Sequence, residues 1–267
     1  MKYLKSFLFI TVVLIVGVFL TLPVISAPLQ YLDFEYFVSV DDTITILRYT
    51  GGNEDLTVPS EIDGKKVTVI GRRAFGGNEK LTSIKIPDSV IIIGESAFEY
   101  SINLKEVILP VFLKEMQGHT FRECKSLQSI IIPEGVTYIG NYTFADCESL
   151  KTVTLPSTIE SIGEFALQHC TKLTSINLLS GIKEIGYGAF LFCNSLKEIT
   201  IPITIENIPS FAFSNCSELL KISILSPNVK IEKNAFRKCD MAIIYAHDGS
   251  TGAAYAKTNK MPLVILK

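Results

Sequence analysis

The sequence contains no tryptophan and only three histidines, His119, His169 and His247, among its 267 residues. These histidines are far apart in the chain, whereas metal centres and acid–base pairs need groups that converge. The sequence also has no Gly-x-Ser-x-Gly elbow, no Gly-x-Gly-x-x-Gly loop and no P-loop. We therefore predict a protein that is not an enzyme and that has no catalytic residues, no metal and no cofactor.

An excess of charge of one sign is also missing, because 25 Lys and Arg residues nearly balance 27 Asp and Glu residues, leaving a net charge of −2. Nucleic-acid-binding domains usually carry a basic face or stripe, so no nucleic-acid partner is predicted. Hydrophobic residues make up 48% of the chain, which is enough for a sizeable core.

The longest apolar run lies at the N-terminus. Lys2 and Lys5 precede apolar residues 7–22, and the small pair Ser26–Ala27 follows. A basic start, an apolar middle and small exit residues are typical of a secretory signal peptide over residues 1–27. The run nearly reaches the ~20 residues that span a bilayer, so an uncleaved signal anchor is the alternative. Both interpretations predict a secreted or cell-surface protein, with membrane contact only through an uncleaved N-terminal segment.

A 23-residue repeat fills most of the remaining chain. An apolar anchor recurs at this period, and the residue before each anchor is small. Aliphatic residues recur at four fixed places after the anchor, as Leu150, Val153, Leu155 and Ile162 do after Phe144, and a glycine often follows the last of these. Self-similarity at a fixed period of this length is the signature of a solenoid. The anchors are Phe75, Phe98, Phe121, Phe144, Leu167, Phe190, Phe213 and Phe236.

The local pattern of each repeat predicts a short strand. Residues 152–155 alternate polar and apolar side chains, and Pro156 then ends the strand because proline cannot donate to the ladder. One such unit cannot bury its own apolar face, whereas stacked units share a continuous core. The predicted fold is therefore a repeat solenoid with a parallel β-sheet on one face.

The unit resembles the BspA-type leucine-rich repeat, L-x-x-I-x-I-P-x-x-V-x-x-I-G-x-x-A-F-x-x-C, which residues 127–147 carry almost completely. The resemblance covers about residues 59–240 and is loosest at 111–120, where Met116 and Gln117 replace isoleucine and glycine. It implies a right-handed coil with short turns or helical segments opposite the sheet. It also implies an N-terminal β-hairpin cap with lead-in, a solenoid and a C-terminal helix–strand cap. We predict these regions at residues 28–70, 71–241 and 242–267.

All six cysteines occupy one position of the repeat, shortly after an anchor. Neighbouring coils approach bridging distance, but side chains that point the same way along a ladder have poor disulfide geometry. A separation of one full repeat between successive cysteines also does not match a zinc motif, which needs close pairs. We predict buried free thiols that contact backbone groups in the turn, with disulfides as the alternative. The cysteines are Cys124, Cys147, Cys170, Cys193, Cys216 and Cys239.

Two sequences, Asn141-Tyr142-Thr143 and Asn215-Cys216-Ser217, match the acceptor pattern for N-glycosylation. They matter only in a host that glycosylates exported proteins. An unmodified turn asparagine is the favoured interpretation of both Asn141 and Asn215.

The repeats differ from one another mainly in the strand residues that are predicted to face outward. The row at the middle of the predicted strands is polar except for Ile108 and Ile131, which predict an apolar contact patch; ordinary β-propensity is the alternative. The family resemblance implies adhesion, with a protein partner such as a host or matrix surface protein. A self-associating envelope component is the alternative, and a carbohydrate-active module is least favoured. The predicted binding residues are Lys85, Ile108, Ile131, Thr154, Asn177, Thr200 and Ser223.

Overall fold

The computed structural model describes residues 28–266, and the predicted leader, residues 1–27, lies outside them. The described chain begins with antiparallel hairpins, in which β1 pairs with β2, β2 with β3, and β5 with β6. Parallel pairing begins where β3 meets β6. These strands are β1 (Leu29–Tyr31), β2 (Phe34–Val38), β3 (Ile44–Tyr49), β4 (Asp55–Thr57), β5 (Glu61–Ile62) and β6 (Lys65–Ile70).

The following strands alternate between two columns. Strands of the first column come soon after an anchor, and those of the second column come shortly before the next anchor. The strands are β7 (Ser83–Lys85), β8 (Ile92–Ile93), β9 (Glu106–Ile108), β10 (Glu115–Met116), β11 (Ser129–Ile131), β12 (Tyr138–Ile139), β13 (Thr152–Thr154), β14 (Ser161–Ile162), β15 (Glu184–Ile185), β16 (Glu198–Ile201), β17 (Asn207–Ile208), β18 (Lys221–Ile224) and β19 (Lys230–Ile231).

Within each column, strands of successive coils pair in parallel. In the first column, β11 pairs with β13 and aligns Ile131 with Thr154. In the second column, β12 pairs with β14 and aligns Ile139 with Ile162. Both pairs join residues that are one full repeat apart, so the register follows the sequence period. The predicted parallel-strand solenoid is confirmed.

The C-terminal end of the solenoid is covered by β20 (Ile243–His247), α1 (Thr251–Thr258) and β21 (Leu263–Leu266). Both strands extend the first column in parallel. The Ser250 side chain caps α1 by accepting a hydrogen bond from the Ala253 N–H at 3.2 Å. The helix buries Ala253 and Ala256 against the end of the core. Within residues 28–266, no helix is long and apolar enough to cross a membrane.

The anchors form the centre of the core. Their rings are almost fully buried and stack nearly parallel, with centroids 5.1 Å apart for Phe98 and Phe121 and 5.7 Å apart for Phe121 and Phe144. Stacking resumes at Phe190, because the intervening anchor is Leu167. Aromatic pairs stabilise beyond the burial of their area, so the anchors hold each coil onto the next.

Close stacking of the coils explains the glycine that follows the second-column strands. A Cβ atom on Gly186 would lie 2.4 Å from the backbone nitrogen of Glu164 and 2.4 Å from the carbonyl carbon of Gly163. A side chain at Gly186 would therefore require the backbones of these two coils to separate.

The six cysteines form a regular row beside the anchors. All six are free and buried, and each thiol donates to the backbone carbonyl of the anchor in the preceding coil, at 3.0–3.3 Å. Ser101 makes the equivalent bond to the Phe75 carbonyl at 2.8 Å. Most of these carbonyls also accept a backbone N–H, as the Phe121 carbonyl does from Cys124 at 3.1 Å, so the thiol supplies a second hydrogen bond that joins neighbouring coils. Burial also raises the pKa of Cys124, Cys147, Cys170 and Cys193.

We expect the native thiols to react with an aromatic disulfide reagent at least ~10³-fold more slowly than the thiols of the unfolded chain, because reaction requires both opening and ionisation. Denaturation without a reductant should then release six reactive thiols per chain. The Cys147→Ser variant serves as the control, since its hydroxyl can replace the thiol as at Ser101. Fewer than six thiols after denaturation would contradict the free-thiol assignment.

Candidate functional site

The outward face of the first column exposes six of the seven predicted binding residues. The prediction that Ser223 is exposed is wrong, because its relative exposure is 8%. Strand β18 lies between β16 and β20, which places Ser223 in register between Thr200 and Tyr245. The small serine is therefore enclosed by larger neighbours, and Tyr245 belongs to the C-terminal cap, which the repeat period does not reach.

The main apolar feature of this face is the pair Ile108 and Ile131, which are 48% and 71% exposed. They occupy equivalent positions on adjacent coils. Val111 and Phe112, in the turn after β9, are also exposed. Both isoleucines of the predicted apolar pair are therefore exposed on this face.

Polar residues border this apolar pair. Lys85 lies in register with Ile108, and Thr154 lies in register with Ile131. A shallow depression of about 180 Å³ beside Ile108 is lined by Asp55, Thr57, Ser83, Lys85 and Glu106, among others. The Ser83 hydroxyl donates to Asp55 Oδ1 at 2.6 Å. An apolar centre with a polar rim is the usual composition of a protein-binding surface.

The repeat period does not reach the ends of this row. Thr57 on β4 continues the row before Lys85, and Tyr245 and Val264 continue it after Ser223. Only the strand pattern of the flanking segments could have indicated these residues, because they do not follow the spacing of the repeat.

A second concave surface follows the second column as a groove of about 660 Å³. Its wall includes Tyr138, whose hydroxyl donates to Asn141 Oδ1 at 2.9 Å, and the same oxygen accepts the Glu164 N–H at 2.9 Å. Burial raises the pKa of Tyr138. Glu184 also lines the groove. Residues 28–266 contain no group of three or more His, Cys, Asp or Glu side chains that could hold a metal.

Beside this groove runs a row of half-exposed aromatic side chains. The ring centroids of His119 and Tyr142 are 4.9 Å apart, and those of Tyr142 and Phe165 are 5.0 Å apart. Tyr187 and Phe211 extend the row. This row was not predicted from the sequence, although one repeat position, two residues before an anchor, holds four of its members: His119, Tyr142, Phe165 and Phe211.

The two acceptor sequences lie in turns. The Thr143 hydroxyl is buried and donates to the Gly140 carbonyl at 2.8 Å, whereas Asn141 is exposed. Asn215 adopts a left-handed φ of 60° and donates from Nδ2 to Ser214 Oγ at 2.9 Å. Both amides therefore have local structural roles, and glycosylation at Asn141 and Asn215 stays a prediction.

One buried carboxylate lies on the turn side of the solenoid. Glu99 has a side chain that is 6% exposed, and it contacts Arg73 Nη2 at 2.9 Å and Arg122 Nη1 at 3.3 Å. Burial by itself would raise the pKa of Glu99, but hydrogen bonds from Arg73 and Ser96 and the charges of both arginines together lower it. This group joins three successive coils and faces no groove, so its geometry supports a structural role.

A known protein family and several solved structures are similar to this chain. Models of the "BspA type Leucine rich repeat region" match residues 54–157 and 114–243, with six copies. A leucine-rich repeat protein of T. pallidum is 29% identical, covers 74% of this chain and 86% of its own, and superimposes with a TM-score of 0.54. A leucine rich cell surface protein of Faecalibacterium prausnitzii is 20% identical, with 90% and 94% coverage and a TM-score of 0.57. No curated protein matches the sequence. The chain belongs to the BspA-type leucine-rich repeat family.

Proposed function

We propose that this protein is an exported surface protein that binds a protein partner through the outward face of its first strand column. The observation that carries this proposal is the exposure of Ile108 and Ile131 on adjacent coils, bordered in register by the polar residues Lys85 and Thr154. Single exposed apolar residues are ordinary, whereas contiguous ones with a polar rim are typical of interaction sites. Most of the binding energy would then come from this pair, as it does from the centres of other interfaces.

The broad, shallow form of the face favours a macromolecular partner over a small substrate. The depression beside Ile108 is only about 180 Å³, below the ~300 Å³ at which pockets for small molecules begin. Family membership supports a binding role without catalysis, and the F. prausnitzii neighbour is named a cell surface protein. We propose secretion or display at the cell surface, with a host or matrix surface protein as the partner.

The test compares residues 28–267 with the Ile108→Asp/Ile131→Asp variant, both immobilised, in capture of purified matrix and host-surface proteins. We expect the variant to lose at least about tenfold in affinity for any specifically bound protein, because buried charges would replace apolar contacts. Thr154→Asp/Thr200→Asp is the matched control, since it adds the same charge to polar positions of the same face. A smaller loss of affinity in this control than in the isoleucine variant would assign the effect to the apolar pair. Equal capture by all three proteins would show that the isoleucine pair is not the site.

A further inference from the structure

The strand columns of the solenoid are interrupted together at two coil boundaries. At the first boundary, β9 is not paired with β11 and β10 is not paired with β12. At the second, β15 is not paired with β17, and Ser175 bridges back to Thr152 but the strand pairing does not continue to β16. We name these boundaries seam one and seam two. Within the described residues, they divide the strands into blocks β1–β10, β11–β15 and β16–β21.

Hydrogen bonding at the ends of the first-column strands is also interrupted at seam one, as it is between Leu155 and Asn177 after β13 among the described residues. In regular coils, the residue after the strand donates its N–H to the next coil, as Ile86 does to the Ile108 carbonyl at 3.0 Å. The equivalent bond from Leu109 to the Ile131 carbonyl is missing among residues 28–266. The bond that should join the ends of β9 and β11 is therefore absent beside the two exposed isoleucines.

The second column shows the corresponding loss. The Gly163 N–H donates to the Ile139 carbonyl at 2.8 Å, and this bond recurs in other coils. Its equivalent at seam one, from the Gly140 N–H to the Met116 carbonyl, is missing from the part of the chain that the structure describes. Both columns therefore lack the bond that closes the strand pair at the same coil boundary, although the Gln128 N–H still donates to the Lys105 carbonyl at 3.3 Å at the start of the first-column strands.

The turns that carry the anchors, by contrast, remain continuous across seam one. The Phe98 N–H donates to the Thr120 carbonyl at 2.8 Å, and the Tyr100 N–H donates to the Arg122 carbonyl at 2.9 Å. The rings of Phe98 and Phe121 also stack at 5.1 Å. The turns are thus bonded continuously while both strand columns lose part of their bonding, which is the geometry of a hinge whose axis follows the turns.

Departures from the repeat pattern accompany both seams. Near seam one, Met116 stands where other coils have isoleucine, and a flexible unbranched side chain favours strand pairing less than a β-branched one. Gln117 occupies the glycine position of the same coil. Near seam two, Pro209 occupies that glycine position and has no N–H to donate, and Leu167 interrupts the ring stack.

We propose that the three blocks flex against one another about the turns that carry the anchors. At seam one, this motion would adjust the distance between Ile108 and Ile131 to fit a partner. The flexing stands on the missing pairing alone, whereas its role in partner fitting rests on the proposed function. Seam one crosses the proposed patch, so opening at the strand side directly widens the apolar surface.

Amide hydrogen exchange of residues 28–267 tests the flexing without a partner. The Gln128 N–H donates to the Lys105 carbonyl across seam one at 3.3 Å, and the equivalent bond from Lys151 to the Gln128 carbonyl, at 2.9 Å, lies within a block. We expect the Gln128 amide to exchange at least about tenfold faster than the Lys151 amide, because opening of the seam breaks the first bond and leaves the second intact. Equal protection at equivalent positions would overturn the proposal.

A repaired variant tests the link to binding. Met116→Ile/Gln117→Gly restores the repeat pattern and should slow exchange at Gly140 about tenfold towards that of Gly163. The control Leu167→Phe restores the pattern at seam two and should leave exchange at Gly140 unchanged. If the repair protects Gly140 without altering partner affinity, seam one does not fit the patch to its partner. If amide exchange at seam one is fast but the Ile108→Asp/Ile131→Asp variant binds its partner normally, the flexing is supported and the proposed function is wrong.

Discussion

Replacing Phe144 by alanine is expected to lower the free energy of unfolding by about 3–5 kcal/mol, measured by urea denaturation. The ring is fully buried and stacks on Phe121, and its position is central in the solenoid. Alanine would leave a cavity between two coils whose backbone bonds resist collapse. The Phe144 carbonyl would still accept the Cys170 thiol, now held at 3.2 Å, so the loss measures packing alone.

Phe144→Leu is the matched control, because the neighbouring coil uses Leu167 as its anchor and buries it equally well. We expect a loss below about 1.5 kcal/mol for this swap of similar volume. Since each coil contacts only its neighbours, a defect in the middle should also reduce cooperativity and separate the unfolding of the two halves. A loss for Phe144→Ala no larger than that for Phe144→Leu would contradict the anchoring role of the ring stack.

The fold was predictable because the same burial recurs at each repeat position. Phe144, Leu150, Val153 and Leu155 are buried in one coil, and their counterparts in the neighbouring coils are buried for the same reason. A single period therefore fixes strand position, inward side and register at once. The cysteine row followed from the same reasoning, since identical positions in stacked coils have identical neighbours.

Features that depend on one coil or on the caps were not predictable. Ser223 obeys the period, yet Tyr245 from the cap helps enclose it. The seams depend on the absence of a hydrogen bond, such as that from Gly140 to Met116, which sequence replacements indicate only weakly. The repeat period does not constrain the exposed positions. Ile108 and Ile131 could therefore be identified as a candidate patch from the sequence, but the missing pairing between their strands at seam one could not.

The contacts of Glu99 with Arg73 and Arg122 were also not predictable from the repeat period. Their removal is the second change for which we expect a large loss of stability. Removing both arginines in an Arg73→Ala/Arg122→Ala variant should raise the unfolding equilibrium constant at pH 7 by about tenfold to a hundredfold, since Glu99 is buried but the Arg73 side chain is partly screened by solvent. The reason is that a nearly buried carboxylate would lose both cationic partners. Urea denaturation of the variant and the unmodified protein gives the comparison.

The pH dependence of this loss has a defined sign. In the unmodified protein the pKa of Glu99 is lowered, so its contribution to stability is present above the ordinary glutamate pKa and is lost as the pH falls through the folded value. Without the arginines, burial should instead raise the pKa of Glu99, and protonation would then relieve the penalty. The difference in stability between the two proteins should therefore shrink as the pH approaches ~4.

Adding Glu99→Gln to the Arg73→Ala/Arg122→Ala variant separates the stranded charge from the loss of arginine packing. The glutamine has the same size and no charge, so we expect the triple variant to be more stable than the double variant at pH 7. In the unmodified background, Glu99→Gln should be destabilising, because it removes the charge that the arginines hold. The effect of Glu99→Gln on the free energy of unfolding should therefore change sign between the two backgrounds. Destabilisation in both backgrounds would show that the arginines act through packing and that the buried charge does not control the stability of these coils.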